Sequence, residues 1–182
     1  MLIHTPHLRL FTATSEHLEA IIREPKSLGA ILDVSIPEGW PYFPDAYPSL
    51  LQAVERNPLL PYSGWWLYLF VDPEERALVG CGGFRDKPDT EGVVQVGCEI
   101  APRHQGRGYA VEALGGLVRY AFTRGEVTAV DADSGPAHSA TARVLQKCGM
   151  HLLGPRRDPH DGQVWHWRIT REEYLRGRRK VA

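Results

Sequence analysis

The feature that most constrains the fold lies between residues 93 and 125, where the hydrophobic period changes from two to about 3.6 residues within one short stretch. In the strand 93–100, Val94, Val96, Cys98 and Ile100 point one way, and Val93, Gln95, Gly97 and Glu99 the other. Glu99 therefore leaves opposite the apolar stripe. Further on, Ala110, Ala113, Leu114, Leu117, Val118 and Ala121 recur at helical spacing, with Gly125 as the expected C-cap. Between the two periods stand Pro102, which breaks strand pairing, and Gly106 and Gly108, which open a turn at the helix start.

The flanking sequence predicts further strands and helices in alternation. Residues 2–10 read as a strand, and Thr14 or Ser15 caps a helix that Pro25 stops. Residues 28–61 are punctuated by proline among Trp40, Tyr42, Phe43 and Tyr47, with one helix over 49–56. Such a segment is either a cover over the core or a wall of a binding site. Residues 65–71 and 78–84 make a hairpin across the polar turn 72–75, and 127–131 and 164–169 are strands. Helices are predicted over 139–147 and 171–178, the latter running into a basic tail over 176–182. The pattern is α/β in class (α+β in detail), with one domain over 1–182.

Composition excludes several kinds of protein. Lys and Arg total 21 against 22 Asp and Glu in 182 residues, a formal net charge of -1, so bulk electrostatic binding to DNA or acidic membrane is not expected. The longest apolar run, residues 65–71, falls far short of the roughly 20 residues of a membrane helix. The start has no signal-peptide core, and the three cysteines Cys81, Cys98 and Cys148 form no CxxC pair, which fits a cytoplasmic location. His151, His160 and His166 lack zinc-type spacing, so no metal is expected. Trp165 and Trp167 share one strand face, with His166 opposite, as in core or edge cover.

The glycine-bearing turn at a helix start suits phosphate, because helix N-termini carry unpaired N–H groups and partial positive charge. The alternative is a tight turn and nothing more. Two other phosphate motifs fit less well: a dinucleotide fingerprint counted from Gly106 meets Val111 at its last glycine, and Gly-Lys followed by Ser or Thr occurs nowhere.

Arg103-x-x-Gly106-x-Gly108 resembles the R/Q-x-x-G-x-G/A pyrophosphate loop of the GNAT superfamily of acetyl-CoA-dependent N-acetyltransferases, and it lies between a strand and a helix as it does there. His138-Ser-Ala-Thr141-Ala-Arg143-Val-Leu-Gln-Lys147-Cys-Gly149-Met150 resembles the N-x-A-S-x-R-V-L-x-K-x-G-F segment of the branch that includes ribosomal-protein N-terminal (alanine/serine) acetyltransferases. Thr5-Pro-His-Leu-Arg9-Leu10 is similar to that branch's first strand. The resemblance is strongest over residues 93–154. It departs from the pattern at His138, where Asn is usual, and at Met150, where Phe is usual.

The resemblance implies a single-domain fold with a mixed, mostly antiparallel sheet, splayed central strands and flanking helices. It implies acetyl-CoA as co-substrate, transfer to a primary amine by direct attack on the thioester, and no metal. The backbone of His104, Gln105, Gly106, Arg107, Gly108 and Tyr109 would cradle the pyrophosphate, and strand 97–101, including Ala101, would pair with the pantetheine. The oxyanion would meet backbone N–H near Ile100. Arg103 and Arg107 would add charge to the phosphates or stand as solvated helix-end residues. His138 and Arg143 belong to the second cofactor-facing segment, His138 as a cofactor ligand or a helix cap.

The acceptor is a protein N-terminus or a small amine. An α-amine with pKa near 8 is partly neutral at working pH, whereas a lysine near 10.4 requires about 4 kcal/mol for deprotonation, so a general base matters most for the latter. Glu99 is the candidate base, or else a carboxylate paired with a nearby arginine. Where several members carry a tyrosine acid this chain has Leu145, leaving Thr141 as a candidate donor. A thiolate leaves without much protonation. Homodimers are frequent in the family. The competing functional class is a non-catalytic acyl-CoA-binding or sensor module, suggested by the missing tyrosine and the two departures.

Overall fold

The computed structural model describes residues 1–135, 139–159 and 162–179. Pro6 settles how the chain begins. The segment 2–10, expected as one strand, is a hairpin of β1 (Leu2–His4) and β2 (Arg9–Thr12), because the proline cannot donate to a ladder and the Thr5 amide turns back onto the Leu8 carbonyl, 3.1 Å away. Helix α1 (Ser15–Arg23) follows Thr14, whose amide donates to His17 Nδ1 at 3.1 Å. Pro25 does more than stop it. Pro25 opens α2 (Pro25–Leu32), since a fixed φ and a missing N–H cost nothing in a first turn. α3 (Ala46–Arg56) begins three residues earlier than expected, and α4 (Leu60–Ser63) is a single turn.

β3 (Leu67–Asp72) and β4 (Ala77–Phe84) form the expected hairpin. β5 (Val93–Ile100) keeps the boundaries its alternation gives and leads through a 3-10 turn, Pro102–His104, into α5 (Tyr109–Thr123). Gly125 keeps no left-handed conformation, so it is not the αL cap expected there. β6 (Ala129–Ser134), α6 (Ala140–Lys147), β8 (Gly162–Thr170) and α7 (Arg171–Arg179) match expectation to within a few residues, α6 with Ser139 Oγ accepting from the Ala142 amide at 3.1 Å. β7 (His151–Asp158) was not legible, because Gly154 and Pro155 interrupt its pattern. A proline is tolerated there because β7 ends the strand order and pairs only with β8.

The strand order is β1-β2-β3-β4-β5-β6-β8-β7, with β5 and β6 parallel and the other registered pairs antiparallel. This is the expected mixed, mostly antiparallel sheet. The β5–β6 ladder holds only Val93↔Ala129, Val94↔Val130 and Gln95↔Asp131, so residues 96–100 have no registered partner on β6. The chain divides into two compact units, Met1–Gly83 with Cys98–Ala113, and Phe84–Gly97 with Leu114–Ala182. The first unit packs Leu18, Ile21 and Leu28 of α1 and α2 against Leu69, Val71 and Leu78, with Trp40 and Tyr47 from the proline-rich segment inside the same cluster. That segment is partly cover; Phe43 and Tyr62 stay exposed. The second unit buries Val94, Val96, Val130, Ala132, Trp167 and Ile169, which share one sheet face, together with Leu114, Leu117 and Val118 of α5. No helix among the described residues is long and apolar enough to cross a membrane.

Candidate active site

The turn between β5 and α5 is shaped by two glycines that only glycine conformations satisfy. Gly106 has φ 77 and Gly108 φ 88, and a Cβ on either would meet no heavy atom within 4 Å. The constraint is backbone shape, and the space beside both is open, as a cradle for phosphate oxygens requires. The turn is tied down from within: Ala101 N donates to Val79 O at 2.9 Å, His104 N to Ala101 O at 2.8 Å, and Gln105 Nε2 to Ile100 O at 2.8 Å. Gly108 O accepts from Glu112 N at 3.0 Å, which begins α5 and leaves the helix's positive end at the turn.

Beneath the loop stands a charged cluster whose hairpin residues, 72–75, look in the sequence like a plain polar turn. Asp72 Oδ1 accepts from the amides of Glu74 and Glu75 at 2.8 and 3.0 Å, and Asp72 Oδ2 from Tyr109 Oη at 2.5 Å. Burial alone would raise the Asp72 pKa, but these hydrogen bonds outweigh it and hold the group below its ordinary value. Burial, then the hydrogen bond to Asp72, pushes the Tyr109 phenol up to about 12. Arg107, expected to face phosphate or solvent, pairs through both terminal nitrogens with Glu75 and lies 5.0 Å over the Tyr109 ring. His104 is 2% exposed and neither ring nitrogen has a hydrogen bond; the nearest carboxylate oxygen, Glu75 Oε2, is 3.8 Å from Nδ1. Burial and the neighbouring Arg103 lower its pKa, so its ring is neutral at working pH. Arg103 is exposed.

At the end of β5, Glu99 is half-buried. Its Oε1 accepts from the Cys81 thiol at 3.3 Å, while Oε2 is buried without a hydrogen-bond partner. Burial raises its pKa, opposed by the thiol and by the Trp40 indole. The expected alternative, pairing with an arginine, is absent among the described ion pairs. The Trp40 indole N–H is itself buried and outside hydrogen-bond geometry, though near enough to Glu99 to weigh on its pKa. Cys98, expected on the buried face, is partly exposed instead, because the strand's burial pattern slackens after Val96.

The first unit thus brings together Glu99, Ile100, Ala101, Arg103, His104, Gln105, Gly106, Arg107, Gly108 and Tyr109 on one continuous stretch. Thr141 and Arg143 belong to α6 of the second unit, both exposed, with Leu145 buried on the same helix. His138 and His160 lie outside the described residues. Of the remaining histidines considered as ligands, His151 meets Glu173 at 3.7 Å and His166 meets Asp131 at 2.7 Å, on separate carboxylates. Trp167 is buried and donates to Ser134 Oγ at 3.0 Å, a packing role.

The sequence profile described as the acetyltransferase (GNAT) domain matches residues 7–151. An uncharacterized N-acetyltransferase of Bacillus subtilis (strain 168), YjdG, is 26% identical over 155 residues, covering 84% of this chain and 90% of that one. Among solved structures, RimL, a ribosomal L7/L12 α-N-protein acetyltransferase in complex with coenzyme A, superposes with a TM-score of 0.68 at 19% identity, covering 93% of this chain and 98% of its own. Mutant forms of the spermidine/spermine N-acetyltransferase SpeG from Vibrio cholerae superpose with 0.68 at 17% identity, covering 94% and 98%. With the expected loop at the expected strand–helix junction and a profile match through most of the sequence, the chain belongs to the GNAT acetyltransferase family and is an acetyl-CoA-dependent N-acetyltransferase.

Proposed function

We propose that the chain acetylates a primary amine by direct attack on the acetyl-CoA thioester, with Glu99 as general base and residues 104–109 as the pyrophosphate cradle. The carrying observation is Glu99 itself, a carboxylate with a raised pKa and one buried, unpartnered oxygen, five residues before the glycine loop. Bound acetyl-CoA supplies the electrophilic carbonyl and a thiol leaving group. The chain's own groups do the rest. The space beside Gly106 and Gly108 is open to phosphate oxygens, and Arg107, on the same loop, adds charge to them once it leaves Glu75. Strand residues 97–101 offer backbone groups to the pantetheine, with the Ile100 region facing the reacting carbonyl.

Glu99 takes the amine's proton so that nitrogen attacks as a free base. Tyr109 is not the acid: Asp72 holds its phenol, and the raised pKa keeps the proton there. None is needed, since a thiol with pKa near 8.5 departs as thiolate. The acceptor class spans α-amines of protein N-termini and small alkyl amines, the two kinds named for RimL and SpeG. That no disulfide joins Cys81, Cys98 and Cys148 among the described residues supports a cytoplasmic setting. The continuous profile match through both units supports reading them as one catalytic domain.

The test is amine-dependent release of CoA thiol, with an N-terminal serine or alanine peptide in one arm and spermidine in the other. Calorimetric titration with acetyl-CoA runs beside it, with NAD as control. Acetyl-CoA binding with thiol release in either arm is expected. Binding with no release on any amine would replace the enzyme reading by an acyl-CoA sensor, and no binding would overturn the cradle.

A further inference from the structure

Glu99 is the end of a hydrogen-bond chain that starts in the proline-rich segment. Tyr47, on α3, places its hydroxyl 3.5 Å from Cys81 Sγ on β4, and that sulfur is 3.3 Å from Glu99 Oε1 on β5. Cys81 is 5% exposed and Tyr47 4% exposed. An ionised carboxylate only accepts, so the thiol hydrogen points to Oε1; with that hydrogen committed, the phenol hydrogen points to sulfur. The chain therefore has one polarity, Tyr47 O–H to Cys81 S–H to Glu99. Burial keeps both the thiol and the phenol protonated, the thiol's pKa standing well above its usual value and the phenol's also raised, so the polarity persists across the working pH range.

We infer that Tyr47 and Cys81 are positioning residues for the general base: they occupy Oε1, fix the carboxylate's orientation, and reserve Oε2 as the oxygen that receives the amine's proton. This rests on the reading of Glu99 as base. In the step, an N–H bond of the acceptor ammonium breaks, an O–H bond forms at Oε2, and the electron pair stays on nitrogen for the attack. Oε1 continues to accept from the thiol throughout, so the proton has one destination. The buried Trp40 indole N–H lies outside hydrogen-bond geometry but close enough to the same carboxylate to oppose the rise of its pKa. The groups around Glu99 that titrate are Cys81 from β4, Tyr47 from α3, Tyr42 from the preceding loop and Cys98 from β5 itself. None is a cation.

Removing the thiol donor takes one charge-assisted hydrogen bond from the ionised form and frees the side chain to rotate. For Cys81→Ala, the acidic limb of the pH–kcat profile moves up by about one unit and kcat falls roughly tenfold, with KM for acetyl-CoA unchanged. Cys81→Ser, whose hydroxyl donates to the same oxygen, restores the limb. Tyr47→Phe moves it in the same direction by less. NMR titration of Glu99 with labelled glutamate, in wild type and Cys81→Ala, reads the same shift without turnover and on protein shown folded by its melting transition. A Glu99 titration unmoved by Cys81→Ala, beside a Glu99→Gln variant that is inactive, overturns the positioning role and leaves the base. An active Glu99→Gln overturns the base, while the titration still reports whether the thiol is coupled to the carboxylate.

Discussion

Two carboxylate sites, one in each unit, treat buried charge in opposite ways. On the polar sheet face of the second unit, Asp131 takes Arg168 through Nε at 2.7 Å and Nη2 at 2.9 Å, and His166 Nε2 at 2.7 Å. Asp133 takes Arg156 Nε at 2.9 Å and Gln95 Nε2 at 2.6 Å, and Asp158 takes Arg85 at 3.3 Å. Each of these three carboxylates has a donor set. In the first unit, Glu99 Oε2, the Trp40 indole and both nitrogens of His104 are buried with no hydrogen bond. A satisfied network locks a sheet edge, whereas unsatisfied groups raise the free energy of the ligand-free state and are relieved by whatever binds beside them.

The sharpest way to break this contrast is Glu99→Gln. Turnover should fall by about 10²–10⁴, the usual worth of a general base, with acetyl-CoA affinity nearly unchanged in calorimetry. The same variant should be more stable than wild type, by roughly 2–4 °C in Tm at neutral pH. The sign follows from the raised pKa: stability is fully present below the unfolded value of 4.5 and lost as pH rises through the folded one, and glutamine removes that loss. A lower Tm would mean that Glu99 is a structural carboxylate like those of the second unit.

Asp131 should behave in the reverse manner. Its pKa is lowered because the Arg168 and His166 hydrogen bonds outweigh burial, so its stability contribution is present above the unfolded value of 3.8 and lost as pH falls through the folded one. Arg168→Ala leaves a buried carboxylate short of its main partner and should cost about 3 kcal/mol in urea unfolding at neutral pH. Asp131→Asn should flatten the loss of Tm between pH 5 and pH 2. A Tm that falls as steeply in Asp131→Asn as in wild type would show that other carboxylates govern acid unfolding.

Gly108→Ala should weaken acetyl-CoA by about tenfold, because an alanine at φ 88 must strain or reshape the loop at about 1–2 kcal/mol while meeting no neighbour. Unchanged affinity would remove the loop from the cofactor site. The smallest effect is expected of Glu75→Gln. Its pair with Arg107 is exposed, so Tm should hold within about 1 °C, while release of the guanidinium strengthens acetyl-CoA binding by roughly two- to fivefold.

The strand, glycine turn and α5 were legible because each is a matter of local spacing, and that stretch holds most of the candidate site. Pro25 was read as a stop, since the rule that proline ends one helix and the rule that it starts another cannot be told apart without tertiary context. β7 is a strand only because β8 pairs with it; its own Gly154 and Pro155 argue against one. The partners of the site were hidden for the same reason. Tyr47 and Cys81 are 34 residues apart and Asp72 and Tyr109 37, distances that no periodicity reports. Glu74 and Glu75 read as turn residues, which they are; that Glu75 also holds Arg107 emerges only in three dimensions.

The tip of the β3–β4 hairpin is a short polar surface turn, the sort of place where an epitope or a fluorescent peptide is usually spliced in without harm. Here the rule should fail. Asp72 folds the tip by accepting from the Glu74 and Glu75 amides and, through Tyr109, holds the loop at the start of α5. An insertion after Glu74 would leave both strands paired and the protein soluble, yet detach the loop from its support. Labels belong elsewhere on this protein.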